Sequence, residues 1–432
     1  MKILIVDAYH DSDRGGAGIL AGILNTLLSI GKELDETMDI GVVYRFSEDD
    51  KRFESADRHT RKAFPNINIL GSPIKTSRKY TGFIGKIEAF IIFAYSFIKF
   101  CFPFLFSDKV IDAMQNADLV ISKGGHFYKS RQYNLFRGFY STSTALYSIL
   151  LSMRLRKKYA IIAHTVGPFN NYLSRVITKM VFKKATIIST RENISKGILL
   201  SMGLRNSEVQ VLPDTAFALI PVSQENIETF LEKQGLKENL RYATITARFW
   251  SYPGIDRRKS ENLYKKYLTS LAKISDFLID EKLVDKVLLV VHNDGKHNES
   301  ENDSKPINTI YSEMHQRDDA VIIDDDLSPE MLSTLYGKSR IMIGTRLHSV
   351  IFSLVGGAPA IAISYNHKVD GIMGMLGFEK YVLDINTMEI SIANAMIRNV
   401  LAEEERVMQL ANTRIQDFRL MLSKTLKELV TS

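Results

Sequence analysis

The chain alternates short apolar runs with longer stretches in which apolar residues return every three to four positions. Short, mainly apolar runs of about four or five residues predict buried strands, and the longer period predicts helices. Strands are expected at residues 3–6, 40–43, 118–122, 159–163, 186–189 and 209–212, then at 242–246, 287–291, 320–323, 340–343, 360–364 and 381–383. Helical patterns separate most of them, among others at 16–30, 173–184, 263–279 and 329–338. Such alternation builds parallel sheets covered on both faces, and two sets of about six strands predict two Rossmann-like α/β domains. The boundary is expected between Phe217 and Leu240, where Pro221 and a polar helix at 224–234 interrupt the strand pattern. That gives domains of 1–220 and 221–432, the second ending in one long helix over about 388–429.

One segment departs from this pattern. Residues 87–106 read IEAFIIFAYSFIKFCFPFLF and hold eight aromatics. The length approaches the roughly 20 residues of a membrane span, but Glu88, Lys99 and Pro103 argue against a crossing. Two readings stay open: a helix pair packed into the core, or a segment lying in a membrane interface beside basic residues. Charge bears on the choice. The net charge is +7, and between Arg58 and Ser107 eight basic residues (Arg58, Arg61, Lys62, Lys75, Arg78, Lys79, Lys86, Lys99) face one acid, Glu88. Composition is otherwise average, with 45% hydrophobic and 24% charged residues, which excludes a disordered, collagen-like or polytopic membrane chain. The single cysteine, Cys101, excludes an intrachain disulfide and fits a reducing compartment. Asp7 interrupts the first apolar run after Val6, so that run reads as a first strand; a signal-peptide core needs roughly 7–15 apolar residues.

Candidate chemistry collects just past strand ends, where open parallel sheets bind ligands. The densest run is Gly344-Thr345-Arg346-Leu347-His348-Ser349. In an extended loop Arg346 and His348 share one side while Leu347 turns inward, and the helix that follows offers free N–H groups to an anion. Arginine grips carboxylate or phosphate bidentately, and histidine donates a proton near neutral pH. The alternative is an Arg–carboxylate ion pair with a buried structural histidine. Lys368, after strand 360–364, suits a phosphate as a point charge, or is a solvated loop lysine. Arg248, near the only tryptophan, Trp250, adds a third basic group, or is a surface arginine by a Trp-capped core. In the first half, Lys123-Gly124-Gly125-His126 allows close backbone approach to a ligand. His126, His164, Arg191 and Asp214 fall around one rim. His164 or Asp214 is a candidate general base, with helix capping or an ion pair the alternative for Asp214.

Two patterns mislead. Gly16-Ala17-Gly18-Ile19-Leu20-Ala21 matches a dinucleotide fingerprint, but nine residues separate it from the strand, and Val43-Tyr44-Arg45 offers no ribose-binding acid. Asp324-Asp325-Asp326 could hold a metal but leads into Leu327-Ser328-Pro329-Glu330, so helix capping is expected. No His/Cys spacing fits zinc.

The run GTRLHSVIFSLVGGAPAIAISYNHKVDGIMGMLG (344–377), with AHTVGPF (163–169), STREN (189–193), LPDTAF (212–217), SKGGHFY (122–128) and DRGGAG (13–18), resembles the polysaccharide pyruvyl transferases, most nearly their colanic acid branch. The likeness spans about residues 1–385. It departs at Asp13-Arg14-Gly15-Gly16, where the family often has Asn-x-Gly-Asp, and at Lys123-Gly124-Gly125, where it often has three glycines; both concern acceptor identity. The resemblance implies two Rossmann-like domains facing each other across a cleft, the glycosyltransferase-B type. It implies transfer of the enolpyruvyl unit of phosphoenolpyruvate to sugar hydroxyls, leaving a pyruvate ketal and phosphate, without redox cofactor or obligate metal. Arg346, Arg248 and Lys368 would bind the donor, His348 would be the general acid, and His164 or Asp214 the base. Arg191, Gly124, Gly125 and His126 would serve the acceptor, a polysaccharide or its lipid-linked precursor. The expected location is cytoplasmic, with peripheral contact on the inner membrane face and no nucleic-acid partner. The competing enzyme reading is a nucleotide-sugar glycosyltransferase on the same fold. A basic binding protein using residues 58–107 is the non-enzymatic one, and no RNA-stacking motif supports it.

Overall fold

The computed structural model describes residues 1–75, 82–106, 108–130, 132–237, 239–296 and 298–432. Arg78 and Lys79 of the basic region, and the Lys86 side chain, lie outside the described residues. The chain forms two compact units. The first comprises 1–11, 19–215 and 421–432, and the second 12–18 and 216–420. This division differs from a single cut near residue 220, because the first loop joins the second unit and the last twelve residues join the first.

The first unit contains β1 (Lys2–Ala8), β2 (Asp39–Tyr44), β3 (Asn68–Leu70), β4 (Leu119–Ser122), β5 (Tyr128–Ser130), β6 (Lys158–His164), β7 (Val166–Phe169), β8 (Ile187–Thr190) and β9 (Val209–Val211). Seven of these form a parallel sheet in the order β3-β2-β1-β4-β6-β8-β9, and β5 pairs with β7 apart from it. The second unit contains β10 (Tyr242–Thr246), β11 (Lys286–Val290), β12 (Ala320–Ile323), β13 (Ile341–Gly344), β14 (Ala360–Ser364) and β15 (Val382–Asp384), in the parallel order β12-β11-β10-β13-β14-β15. Strands β4, β10, β13 and β14 are buried along their whole length. Both of their faces are covered, so β4, β13 and β14 read as short apolar runs, and β10 (YATIT) carries two buried threonines, Thr244 and Thr246.

In each sheet the chain works outward from one strand, then returns to that strand's other side. The order reverses between β1 and β4 and between β10 and β13, and ligands bind at the carboxyl ends of strands at such reversals. Two irregularities mark the first reversal. Register shifts occur near the ends of β1 and β6, where Asp7 (φ 68) and Ala163 (φ 51) are left-handed. Such a residue costs about 1–3 kcal/mol and re-aims the side chains around it, as a bulge does.

In the second unit the helices Pro329–Gly337 and Leu347–Gly356 touch backbone to backbone. A Cβ on Gly356 would stand 2.0 Å from the Ser333 carbonyl oxygen. Gly357, left-handed at φ 111, then ends the helix. The single C-terminal helix expected at 388–429 is two, Ile390–Ala402 and Glu404–Thr431, parted at Glu403 (φ −104, ψ 18). The Asp324–Asp326 run does not cap the next helix. Ser328 caps it, through the Met331 N–H, while Asp326 pairs with Arg14 and Lys296. Among the described residues one helix, Arg14–Leu34, is long and apolar enough to cross a membrane, and it is mostly buried.

Candidate functional site

The carboxyl edge of the second sheet gathers Arg248 beyond β10, Arg346 beyond β13, and Tyr365 and Lys368 beyond β14, on three neighbouring strands. The Arg248 guanidinium donates to the Tyr365 hydroxyl at 2.6 Å and pairs with Glu301 at 3.3 Å. It also lies 4.5 Å above the Tyr365 ring centroid and 5.6 Å from that of Trp250. The Lys368 ammonium stands 5.6 Å from the Tyr365 ring. Burial pushes the Tyr365 phenol up, but Lys368, Arg248 and Arg346 outweigh it and bring it down to about 8.

Arg346 is not the free donor-binding arginine expected from the sequence. It is buried, and its Nε and Nη2 donate to Asp303 at 2.9 and 2.6 Å. Nη1 donates to the Glu301 carboxylate at 2.6 Å, and Nη2 to the Glu301 carbonyl at 2.8 Å. One N–H remains for any ligand. Burial opposes the charge, yet Asp303 and Glu301 hold the guanidinium protonated, well above its ordinary value. Burial likewise opposes ionisation of Glu301, and Arg346 and Arg248 together keep its carboxyl below the usual range. The extended-loop geometry also fails, because the helix begins at Leu347, directly after Arg346.

His348 lies in the first turn of that helix, half-buried. Gly15, in the 12–18 segment of the same unit and at the start of the helix Arg14–Leu34, lies against its ring: a Cβ there would stand 2.0 Å from Nδ1. Behind it, buried His292 shares a bond with the Tyr336 hydroxyl at 3.1 Å. Its imidazole is held neutral, well below the ordinary value, by burial and then by Arg346.

In the first unit the bulged ends of β1 and β6 assemble a buried polar knot at the strand reversal. The Ser122 and Tyr128 hydroxyls each donate to Asp7 at 2.9 Å. His164 Nε2 lies 3.1 Å from the Ser122 hydroxyl and 3.3 Å from its carbonyl. Contact with a carbonyl places the proton on Nε2, which leaves Nδ1 bare and buried. Burial lowers the imidazole to about 3, so His164 is a weak base without solvent access and not the acceptor-activating group expected. Asp214 is likewise closed off. Arg191 donates to it at 2.5 Å and to the Thr165 hydroxyl at 2.7 Å, with both charged partners buried. Arg191 and Asp214 therefore form an internal ion pair. His126 is half-buried, with Nε2 3.0 Å from the Gly167 carbonyl. Gly124 presses against β6, where a Cβ would meet the Ala163 carbonyl oxygen at 2.8 Å, and a Cβ on Gly125 would meet the Phe127 ring at 2.5 Å.

Sequence reasoning missed Asp7, Ser122, Tyr128, Glu301, Asp303 and Tyr365. Tyr365 stood in the quoted motif beside Lys368. Glu301 and Asp303 carried no local signal, since their partner lies more than forty residues away.

The polysaccharide pyruvyl transferase family model matches residues 39–367. Among curated proteins, the amylovoran biosynthesis protein AmsJ of Erwinia amylovora is 24% identical over 438 residues, covering 100% of both chains. Among solved structures, HepE from Anabaena, in complex with UDP and glucose, superposes with a TM-score of 0.54 at 12% identity, over 100% of this chain and 99% of that one. A glycosyltransferase from Rickettsia africae gives 0.54 at 15% identity over 99% and 97%. The UDP-GlcNAc 2-epimerase of Neisseria meningitidis gives 0.55 at 14% over 100% of each. These likenesses show a fold of the glycosyltransferase-B type, with two parallel α/β units.

Proposed function

The chain belongs to the polysaccharide pyruvyl transferase family, and from that premise we propose that it transfers the enolpyruvyl unit of phosphoenolpyruvate to an exopolysaccharide precursor. The observation that carries the reading is the cation-rich edge of the second sheet. There Arg248 and Lys368 flank Tyr365, beside a helix N-terminus bearing His348. A donor with one carboxylate and one phosphate needs two separated positive groups, and Arg248 and Lys368 supply them. Arg346 acts one step back, holding Glu301 and Asp303 so that Arg248 is not fully neutralised. His348 protonates the methylene carbon, and the helix N-terminus supports the anionic phosphate. A sugar hydroxyl then adds to the electron-poor carbon and returns its proton to the His348 imidazole. The C–O bond to phosphate breaks, a second hydroxyl adds to the same carbon and closes the ketal, and its proton leaves on the phosphate. His164 and Asp214 take no part, being sealed in the first unit. The Lys123–His126 turn at that unit's strand reversal is the proposed acceptor contact. No residue in this scheme calls for a metal or redox cofactor.

Phosphoenolpyruvate as donor puts the reaction on the cytoplasmic side, and a lipid-linked acceptor would bring the enzyme to the membrane face. The test is phosphate release from phosphoenolpyruvate with a panel of lipid-linked sugars. Acceptor-dependent release supports the proposal. Turnover of a UDP-sugar without phosphoenolpyruvate would overturn it in favour of glycosyl transfer.

A further inference from the structure

We infer that the first unit carries a docking face for an anionic lipid bilayer, built from the helix Gly82–Cys101, the turn after it, and the N-terminal ends of the helices Leu135–Ala145 and Tyr172–Phe182. The inner-leaflet orientation rests on the proposed donor; the face itself does not.

The helix Gly82–Cys101 has two different sides. Its inner side is tied to the unit. Lys99 is buried, paired with Asp108, and donates to the Pro73 carbonyl at 2.8 Å. The Tyr147 hydroxyl donates to the Ser96 carbonyl at 2.9 Å, and the Phe93 and Tyr140 rings stand 5.3 Å apart. Its outer side, where a polar face is normal, is apolar: Ile87, Phe90, Ile91, Phe97 and Ile98 recur at helical spacing and are all exposed. Phe90 is 71% exposed, Phe97 57% and Phe104, in the following turn, 68%. A helix fixed along its inner side lies on the unit and does not cross a membrane.

The apolar surface continues onto two neighbouring helices. Phe136 is 83% exposed and Tyr172 72%. Asn171, which caps the Tyr172–Phe182 helix, donates to the Gln132 carbonyl at 2.9 Å, so the starts of these two helices lie side by side. The Thr142 and Ser174 hydroxyls bond at 2.8 Å further along. An exposed apolar patch of this extent marks an interaction surface.

Charge identifies the partner. From residue 119 to 191 the chain has thirteen Lys or Arg and no Asp or Glu. This acid-free run supplies both added helices; Lys123 and Arg191 of it are buried, while Arg137, Arg175 and Lys179 lie on the two helices that carry the exposed apolar groups. Arg137 follows Phe136, Lys179 precedes Met180, and Arg154 reaches the Cys101 carbonyl at 2.9 Å. Aromatic and aliphatic side chains interleaved with cations suit the headgroup boundary of an anionic bilayer. Ile87, Ile91 and Ile98 have no π-face on which nucleic-acid bases stack. Glu88 is the one acid in the helix Gly82–Cys101, so a twofold pairing of this face would set mostly cationic surfaces against each other.

The test uses the full chain and flotation with two vesicle types, phosphatidylcholine alone and phosphatidylcholine with about one-third phosphatidylglycerol. Binding to anionic vesicles at least ~10-fold tighter than to neutral ones, and weakened by salt, is expected. The pairs Phe90→Glu/Phe97→Glu and Phe136→Glu/Tyr172→Glu should each lose that binding. Both should keep the wild-type melting temperature and phosphate release with a soluble acceptor, which separates failure of docking from failure of the proposed reaction. No binding to either vesicle, equal binding to both, or full binding by the Glu variants would overturn the inference. So would a dimer that Phe90→Glu/Phe97→Glu dissolves while vesicles stay unbound, since a second copy would then cover the face.

Discussion

Replacing Gly15 by alanine tests the placement of His348 without touching it. Gly15 is the second residue of the helix Arg14–Leu34, so alanine gains at most the roughly 0.5–1 kcal/mol it is worth in a helix interior. That gain and the cost of moving the ring oppose each other, and stability should stay within about 1 kcal/mol of wild type. The new methyl group, however, would start 2.0 Å from His348 Nδ1 and 2.6 Å from its Cγ. Ordinary van der Waals contact begins at 3.4 Å, so the ring must retreat by roughly 1.4 Å. Nδ1 and Cγ are the near end of the ring, so it retreats only by leaving its rotamer, at a cost of about 0.5–1.5 kcal/mol. A catalytic group misplaced by about 1 Å costs ~10²-fold in rate. On the proposed chemistry, kcat for phosphate release should fall ~10²-fold, while KM for phosphoenolpyruvate, set by Arg248 and Lys368, moves little. The Gly15→Ala/His348→Ala double variant should be no slower than His348→Ala alone, because both act through one ring. Stopped or steady-state phosphate detection with a parallel melting curve reads all of this. Turnover within about twofold of wild type, with the glycine replaced and the protein folded, would refute the assignment of His348.

Arg346→Ala leaves Asp303 buried without its counter-charge, while half-buried Glu301 keeps Arg248, and should destabilise the protein by about 3–5 kcal/mol, read from urea unfolding; an effect confined to KM would show that Arg346 binds donor directly. Tyr365 loses its proton as pH rises through about 8, and the phenolate then offsets Arg248 and Lys368. KM for phosphoenolpyruvate should therefore rise above pH 8 in the wild type, and Tyr365→Phe should flatten that limb; an unchanged limb excludes Tyr365 as its source. Gly356→Ala drives a methyl group against the Ser333 carbonyl oxygen at 2.0 Å. Backbone flanks it on both sides, so a loss of about 1–3 kcal/mol is expected, and an unchanged urea midpoint would contradict the packing described.

The strands of both main sheets were legible wherever burial on both faces forced a continuous apolar run, as in β1, β13 and β14. β3, Asn68–Leu70, is short and half polar, and β7, Val166–Phe169, contains Pro168 and starts two residues after β6 ends; neither carries a periodic signal. The break at Glu403 is a backbone turn inside an unbroken helical pattern. For the site, strand-end position found Arg248, Arg346 and Lys368, since topology fixes where such residues collect. It could not tell which cation is free. Arg346 is consumed by Asp303 and Glu301, and Arg191 by Asp214; those pairings exist only through space. The positive surface shows the same limit: a count over 58–107 includes Lys99, which is buried against Asp108, and only folding sets the helix Gly82–Cys101 beside helices of the acid-free run that begins at residue 119.

The exchange of segments between the two units bears on how the protein is made. Leu422, Leu426 and Leu429 are almost fully buried in the first unit, and Lys158 donates to the Leu429 carbonyl at 2.8 Å. A ribosome delivers these residues after those of the second unit, at roughly 5–20 residues per second. The first unit, although begun first, therefore waits through the synthesis of the whole second unit before its core can close. During that interval its apolar surface is open to chaperones. Removing residues 421–432 should leave that state permanent, with the first unit expanded and prone to aggregate while residues 216–420 retain their own sheet.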